Sequence, residues 1–495
     1  MKIYRFIGLF LLITSFPFKS PGQSTIRLEI VISEPSPDSD ETMLKKLRLT
    51  NPMDIRLSDL TSKIEKILRF YEDSGFPFIR VRLDSVKMRP DLLSGVLVIE
   101  KGELIMIDTL MNRTGFRLSP GVLYRLLNIR PDDRYRESAI NQAAGRLSRI
   151  TYMSQTRPLE VGFHPGKASV YFYPEKANAN RFDGWVGLSP DLRKSGMLAF
   201  SGALALNLSN ILGQGENWQF DWRRNQDTSQ KLNLSALVPY LLGMPFGFQG
   251  KFELFRQDTS YLNVSWDAGI PYHLDGNQQV NLFVRHRESN VLLSSEDIPL
   301  SALQSFTSFV TGLTWELDRL DSRLNPYRGF GFRIEASTGR KSLPDSISMQ
   351  QSEFTANISW FQPLSKSLTC GLFLQSGYRM SPEIYKNEMF RLGGLNQLRG
   401  FDEDVFQTDA FAVTSVEVRY LLDRTSHLVF LTDLGFLRSR ENGILQLKTP
   451  LGMGLGGQIR TAGGIFRIIF ALGKESGQPF NFKNSKIHLG YVGVF

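Results

Sequence analysis

The chain has 495 residues, of which 42% are hydrophobic and 22% charged, with a formal net charge of +9; this balance excludes wholesale disorder. Its 42 Gly, 36 Phe and 15 Tyr, with a mean hydropathy of −0.17, suit β-structure with one apolar and one polar face. Scattered Lys and Arg exclude the basic stripe of a nucleic-acid binder, and after the N-terminus no apolar run approaches the roughly 20 residues of a spanning helix.

The first segment is MKIYRFIGLFLLITSFPFKSPGQ. Lys2 and Arg5 precede an apolar core from Phe6 to about Phe16, and small residues follow at 20–22. This is the pattern of a secretory signal covering 1–22, with cleavage just before Gln23. Cys370 is the only cysteine, which excludes both a disulfide framework and a lipid-modified cysteine at the mature N-terminus.

Two α/β modules are expected next, at 23–102 and 103–176. In the first, the strand TIRLEIVI precedes the helix LSDLTSKIEKILRFY, which carries Leu57, Leu60, Ile64, Ile67, Leu68 and Tyr71 on one face. Asp54 is placed to cap that helix, and Gly75 to close it in the left-handed conformation. Strands FPFIRVRLDSV and SGVLVIEKG complete the module. The second runs through ELIMIDTLM, helices in LSPGVLYRLLNI and RESAINQAAGRLSRI, and strands PLEVGFHP and ASVYFYPEK. Each reads as β-α-α-β-β, with helices on one face of a three-stranded sheet. The free edges of such a sheet accept an added strand.

From 177 to 495 the helical period disappears, and about sixteen alternating segments of roughly ten residues follow, from RFDGWVGLS to KIHLGYVGVF. An even number of such strands predicts a closed antiparallel transmembrane barrel, since lipid offers no partner for an unpaired backbone group. The alternative is a pair of water-soluble sandwiches. The last strand puts Leu489, Tyr491 and Phe495 on one face beside Gly490, ending the chain on an aromatic.

RLGGLNQLRGFDEDVF, inside the long loop 380–408, breaks both periods, and on local grounds Arg399 reads as an exposed loop residue. Several other motifs surround it: GFPF at 75–78, VLVIEKGELIMIDTL at 96–110, NILGQGE at 210–216, VPYLLGMPFGF at 238–248 and LDRLDSRLNPYRGFGFR at 317–333. Together with LRGF (Leu398, Arg399, Gly400, Phe401), they resemble the BamA/TamA superfamily of outer-membrane assembly factors and their two-partner-secretion relatives. The resemblance covers nearly the whole mature chain. It implies two POTRA modules in the periplasm, a 16-stranded barrel in the outer membrane of a Gram-negative cell, and a long loop folded back into the lumen. It also implies that Phe495 and its neighbours serve as a C-terminal assembly signal, and that acids on two barrel strands hold the loop arginine.

Strand parity supplies those acids. In FAVTSVEVRYLL, Val416, Val418 and Tyr420 face lipid, so Glu417 faces inward; in HLVFLTDLGFL, Asp433 lies opposite the Phe430, Thr432, Leu434 and Phe436 face. Arg399 is therefore expected to pair with Glu417, Asp433 or both, with Gly393, Gly394 and Gly400 allowing tight turns. GMGLGG at 452–457 satisfies a dinucleotide pattern, but a strand follows it rather than a helix. The isolated histidines lack metal-ligand spacing, and no nucleophile–base arrangement is visible. The expected function is insertion or translocation of unfolded outer-membrane or secreted clients without a cofactor or enzymatic step. Membrane lipid and accessory periplasmic subunits complete the partners, and nucleic acid is excluded. A two-partner-secretion-type transporter and a passive porin are the alternatives.

Overall fold

The computed structural model describes residues 25–494, apart from short stretches at 34–36, 90–91, 148–149, 191–197, 225–228, 276, 293–301, 323–324, 346, 424, 442–443, 462–463 and 483–484. The proposed signal segment and Phe495 lie outside the described residues. The chain divides into two compact units. One comprises Met1–Gly115, Leu127–Gly145 and Gln155–Pro174; the other comprises Phe116–Leu126, Arg146–Ser154 and Glu175–Phe495.

In the first unit β1 (Thr25–Ser33) alternates buried and exposed residues, as one face of a sheet demands. It pairs antiparallel with β2 (Met53–Arg56) and parallel with the strand at Leu92–Glu100, whose other neighbour is the strand at Arg80–Arg89; these last two are β4 and β3. Helix α2 (Leu57–Glu72) buries Leu60, Ile64, Ile67 and Tyr71 in the core, each worth about 1.5–3 kcal/mol over exposure. Helix α1 (Pro37–Leu47), mostly polar, is the first of the two helices in the expected β-α-α-β-β order, whereas β2 is an addition that makes the sheet four-stranded instead of three-stranded; at four residues it is too short to show a period. Asp54 does not cap α2; it lies in β2 and accepts Arg27 Nε at 2.9 Å, while Arg56 occupies the cap position. Gly75 adopts φ +105, the left-handed turn foreseen for it.

Lys101 is almost fully buried and donates to Asp40 at 3.0 and 3.2 Å; Tyr71 also donates to Asp40, at 2.8 Å. Desolvation and the Asp40 carboxylate raise the Tyr71 hydroxyl pKa far above its ordinary value, so it remains a donor. The same unit holds a second sheet, in which β5 (Met106–Asn112) runs parallel to β8 (Lys167–Phe172), itself antiparallel to β7 (Glu160–His164); the short β6 (Met153–Gln155) and β9 (Pro174–Lys176) pair with each other. Phe163 packs edge-on against Phe78 (4.8 Å), in the turn before β3, and against Tyr135 (5.4 Å).

The second unit contains the barrel, a closed antiparallel circuit of sixteen strand positions. Its strands are β10 (Arg181–Pro190), β11 (Leu198–Ser209), β12 (Asn217–Arg224), β13 (Gln230–Val238), β14 (Phe248–Gln257), β15 (Tyr261–Asp275), β16 (Gln278–Val291), β17 (Phe306–Asp318), β18 (Gly329–Ser342), β19 (Ser348–Pro363) and β20 (Leu368–Met380). After the two short loop strands β21 (Phe390–Leu392) and β22 (Phe406–Thr408) come β23 (Ala410–Leu421), β24 (His427–Glu441), β27 (Ile465–Lys474) and β28 (Lys486–Val494). One position is shared by β25 (Ile444–Lys448) and β26 (Leu451–Arg460), which pair with successive parts of β24. Trp266, Trp360, Tyr420, Phe430 and Leu489 are exposed on the outer wall, whereas the alternate Asp267, Glu417 and Asp433 are withdrawn from solvent inside. An apolar exterior and a charged interior are the partition a membrane barrel requires.

Closure is uneven. Strand β10 pairs with β11 from Arg181↔Asn207 to Pro190↔Leu198, but among the described residues it meets β28 only at Arg181↔Val494 and Phe182↔Gly493.

Asp40→Ala leaves Lys101 buried without its acid, at an expected cost of about 3–5 kcal/mol. Limited proteolysis of the full-length protein should then cut within 25–115, with the barrel left protected; wild-type resistance would refute the structural role of this pair.

Candidate functional site

The loop between β20 and β23 returns into the barrel. It makes a 3-10 turn at Lys386–Glu388 and a short hairpin of β21 (Phe390–Leu392) and β22 (Phe406–Thr408), whose tip carries Arg399. The tip needs three left-handed glycines: Gly393, Gly394 and Gly400 have φ of +133, +88 and +91. Side chains at Gly393 and Gly400 would also collide with backbone, the first at 2.1 Å from Asp402 O and the second at 2.5 Å from Gly473 N.

Arg399 is 7% exposed, and the structure brings both sequence-derived acids to it. Its Nε donates to Asp433 at 2.7 Å and its backbone N–H to the same carboxylate at 2.8 Å, while a guanidinium nitrogen donates to Glu417. Asp433 is 0% and Glu417 6% exposed. Glu417 also accepts Arg419 Nε at 2.7 Å, so two cations face two anions in one buried cluster. Such a forked, charge-balanced arrangement offsets the desolvation that would otherwise expel the arginine.

Leu398 is fully buried with Leu392, Phe406, Val413 and Leu437, and Phe401 packs against this cluster. The Gly400 N–H donates to His488 Nε2 at 3.3 Å. Gly452, part of the nucleotide-like glycine pattern, lies in β26, where an added Cβ would stand 2.1 Å from the Arg399 carbonyl. These glycines serve close approach of a loop to a wall. In the last strand Leu489 is exposed on the outer face, Tyr491 stacks on Phe466 at 4.6 Å, and the Gly490 surface lies beside Leu395 of the loop.

A second anchorage, elsewhere on the wall, was not foreseen. Lys341 of β18 and Glu388 form a fully buried ion pair at 2.8 Å, and Lys341 also donates to the Glu383 carbonyl at 2.6 Å. Asn387 donates to Ser289 of β16 at 2.6 Å, and its carbonyl accepts from Asn263 of β15 at 2.6 Å. Arg223 of β12 approaches Glu403 at 3.5 Å, and Lys486 of β28 meets Asp402 at 2.7 Å. The loop is thus tied to walls all around the lumen. Inward parity of Lys341 was the available signal; its partner lies 47 residues away and carries no pattern of its own.

A family model, the Omp85 superfamily domain, matches residues 210–491. The chain belongs to the Omp85 superfamily. Solved structures similar to this Omp85 chain include CdiB from Escherichia coli (15% identity, TM-score 0.60, covering 97% of this chain and 93% of that one). CdiB from Acinetobacter baumannii gives 14%, 0.59, 97% and 91%. BamA from Haemophilus ducreyi lacking POTRA domains 1–3 gives 15%, 0.54, 94% and 99%. No curated protein matches the sequence. At these identities the likenesses establish the fold: an Omp85 outer-membrane barrel preceded by an α/β region.

Arg399→Ala strands two buried carboxylates with Arg419 as the remaining cation, and should cost about 3–5 kcal/mol. The temperature at which the barrel loses its compact gel mobility should fall. Arg399→Lys should recover only part of the loss, because an ammonium cannot fork between two acids. An unchanged transition in Arg399→Ala would remove the pairing from the account of stability. Separately, Lys341→Met should lower the same transition, and Lys341→Met with Glu388→Gln should recover much of it, because no unpaired buried charge then remains.

Proposed function

We propose that this Omp85 chain inserts polypeptide clients into the outer membrane or passes them across it. In this reading 23–102 and 103–176 are periplasmic POTRA modules whose sheet edges accept client strands, with β2 and β3 as the edges of the first sheet. The observation that carries it is the closing seam. Strands β10 and β28 share only Arg181↔Val494 and Phe182↔Gly493 among the described residues, and Gly493 brings no side chain to the contact. A seam so lightly paired is the least stable part of the wall and the place where a client strand could pair with β10. The Arg399 cluster braces the lumen while the wall parts. Leu489, Gly490, Tyr491 and Phe495 act in this reading as the signal by which the chain itself is assembled.

A second reading, a two-partner-secretion-type transporter, draws support from the TM-scores of 0.59 and 0.60 to CdiB, above the 0.54 to the BamA fragment. The lumen-filling loop would then move aside for an extended client.

Cysteines at Phe182 and Gly493, in a Cys370→Ser background, should cross-link β10 to β28 and abolish insertion of a radiolabelled barrel client into proteoliposomes, with activity returning on reduction. Full activity in the oxidised form refutes seam opening. Deletion that empties the medium of one secreted protein, with outer-membrane proteins unchanged, selects the transporter reading.

A further inference from the structure

On the outer wall, toward the loop end of β19, β20, β23 and β24, a recess of about 380 Å³ opens among large apolar side chains. Cross-strand register creates it. Phe354, Tyr378, Ala410, Arg438 and Leu447 stand opposite one another in a row across five strands. One step nearer the middle of the barrel wall lies the row of Ser376, Ala412 and Phe436. Ser376, Ala410 and Ala412 are short, so the wall is low between the exposed Phe354, Tyr378, Phe436 and Leu447.

The polar groups gather at the end nearer the loops. Arg438 is held by Asp409 at 3.0 and 3.1 Å and lies over the Tyr378 ring at 5.1 Å, which fixes its guanidinium at the rim. Lys448 lines the recess half-exposed, and its ion pair with Glu475 is long at 3.9 Å. Thr449 adds a hydroxyl that lies 2.6 Å from the Ser476 hydroxyl. An apolar trough running toward mid-membrane, with a loosely committed ammonium and a hydroxyl at the boundary, matches an amphiphile with an acyl chain and an anionic head. The recess is continuous with the lipid-facing belt, so its occupant comes from the membrane.

We infer that this recess binds a phosphorylated acyl glycolipid of the cell-surface leaflet. The choice of leaflet rests on the orientation proposed above: the recess lies at the barrel end opposite Arg181, where the chain enters from the periplasmic side. The glycolipid's acyl chain lies over Ala410 and Ala412, and its phosphate meets Lys448 and Thr449.

The test is native mass spectrometry of the purified full-length protein, offered equimolar bisphosphorylated hexa-acyl lipid A and phosphatidylglycerol. Lipid A should be retained in preference. Ala412→Phe, which fills the trough from the lipid side, should lower its retention about tenfold. Lys448→Gln should lower it severalfold and reduce the preference over phosphatidylglycerol. Heat-modifiable gel mobility verifies that each variant is folded. Equal retention of lipid A by wild type and Ala412→Phe overturns the site, and equal retention of the two lipids by wild type overturns the choice of lipid. No client takes part, so failure here leaves the insertion reading standing, and failure of the seam experiment leaves this site standing.

Discussion

A guanidinium removed from bulk water must find its counter-charges within the same enclosure, and that constraint organises the barrel. Arg399 meets Asp433 and Glu417 on adjacent strands, and Arg419 balances the second acid, so the cluster is close to neutral. Neutrality alone is insufficient, because the loop backbone must approach the wall closely enough to deliver the side chain. Gly400 against Gly473 and Gly452 against the Arg399 carbonyl are the positions where a Cβ would block that approach. Gly452, which belongs to a pattern that mimics phosphate binding in the sequence, is therefore explained by the loop it receives, while Gly454 and Gly457 face neighbouring barrel strands.

The Lys341–Glu388 pair gives the loop a second fixed point, on β18. A loop held at both ends acts as a strut, and removing one attachment leaves the other. Buried charge pairs of this kind add little over apolar packing in net stability, yet they are costly to break singly, which fixes one arrangement of the loop over its alternatives. The seam between β10 and β28 is built on the opposite plan, with two shared register positions among the described residues and a glycine at one of them.

The outer wall has local character too. Large apolar side chains cover most of it, but three short residues on β20 and β23 lower the surface beneath Arg438 and Lys448. In the N-terminal unit, a mostly polar helix stays in place because its Asp40 satisfies both Lys101 and Tyr71 in the core.

Strand parity made much of the barrel legible in advance. Because side chains alternate strictly, the lipid-facing Val416 and Tyr420 put Glu417 inside, and Phe430 with Phe436 did the same for Asp433; the amphipathic face of α2 and the turn at Gly75 followed from equally local patterns. The sequence could not show that Asp54 would serve Arg27 in the neighbouring strand, or that Glu388 would meet Lys341 of β18. Nor could it show that Ser376, Ala410 and Ala412 would adjoin on two neighbouring rows of one wall. Each of those outcomes depends on the register between segments distant in the chain. Alternation states which way a side chain faces, whereas closure of the cylinder and re-entry of its loop decide what it meets there.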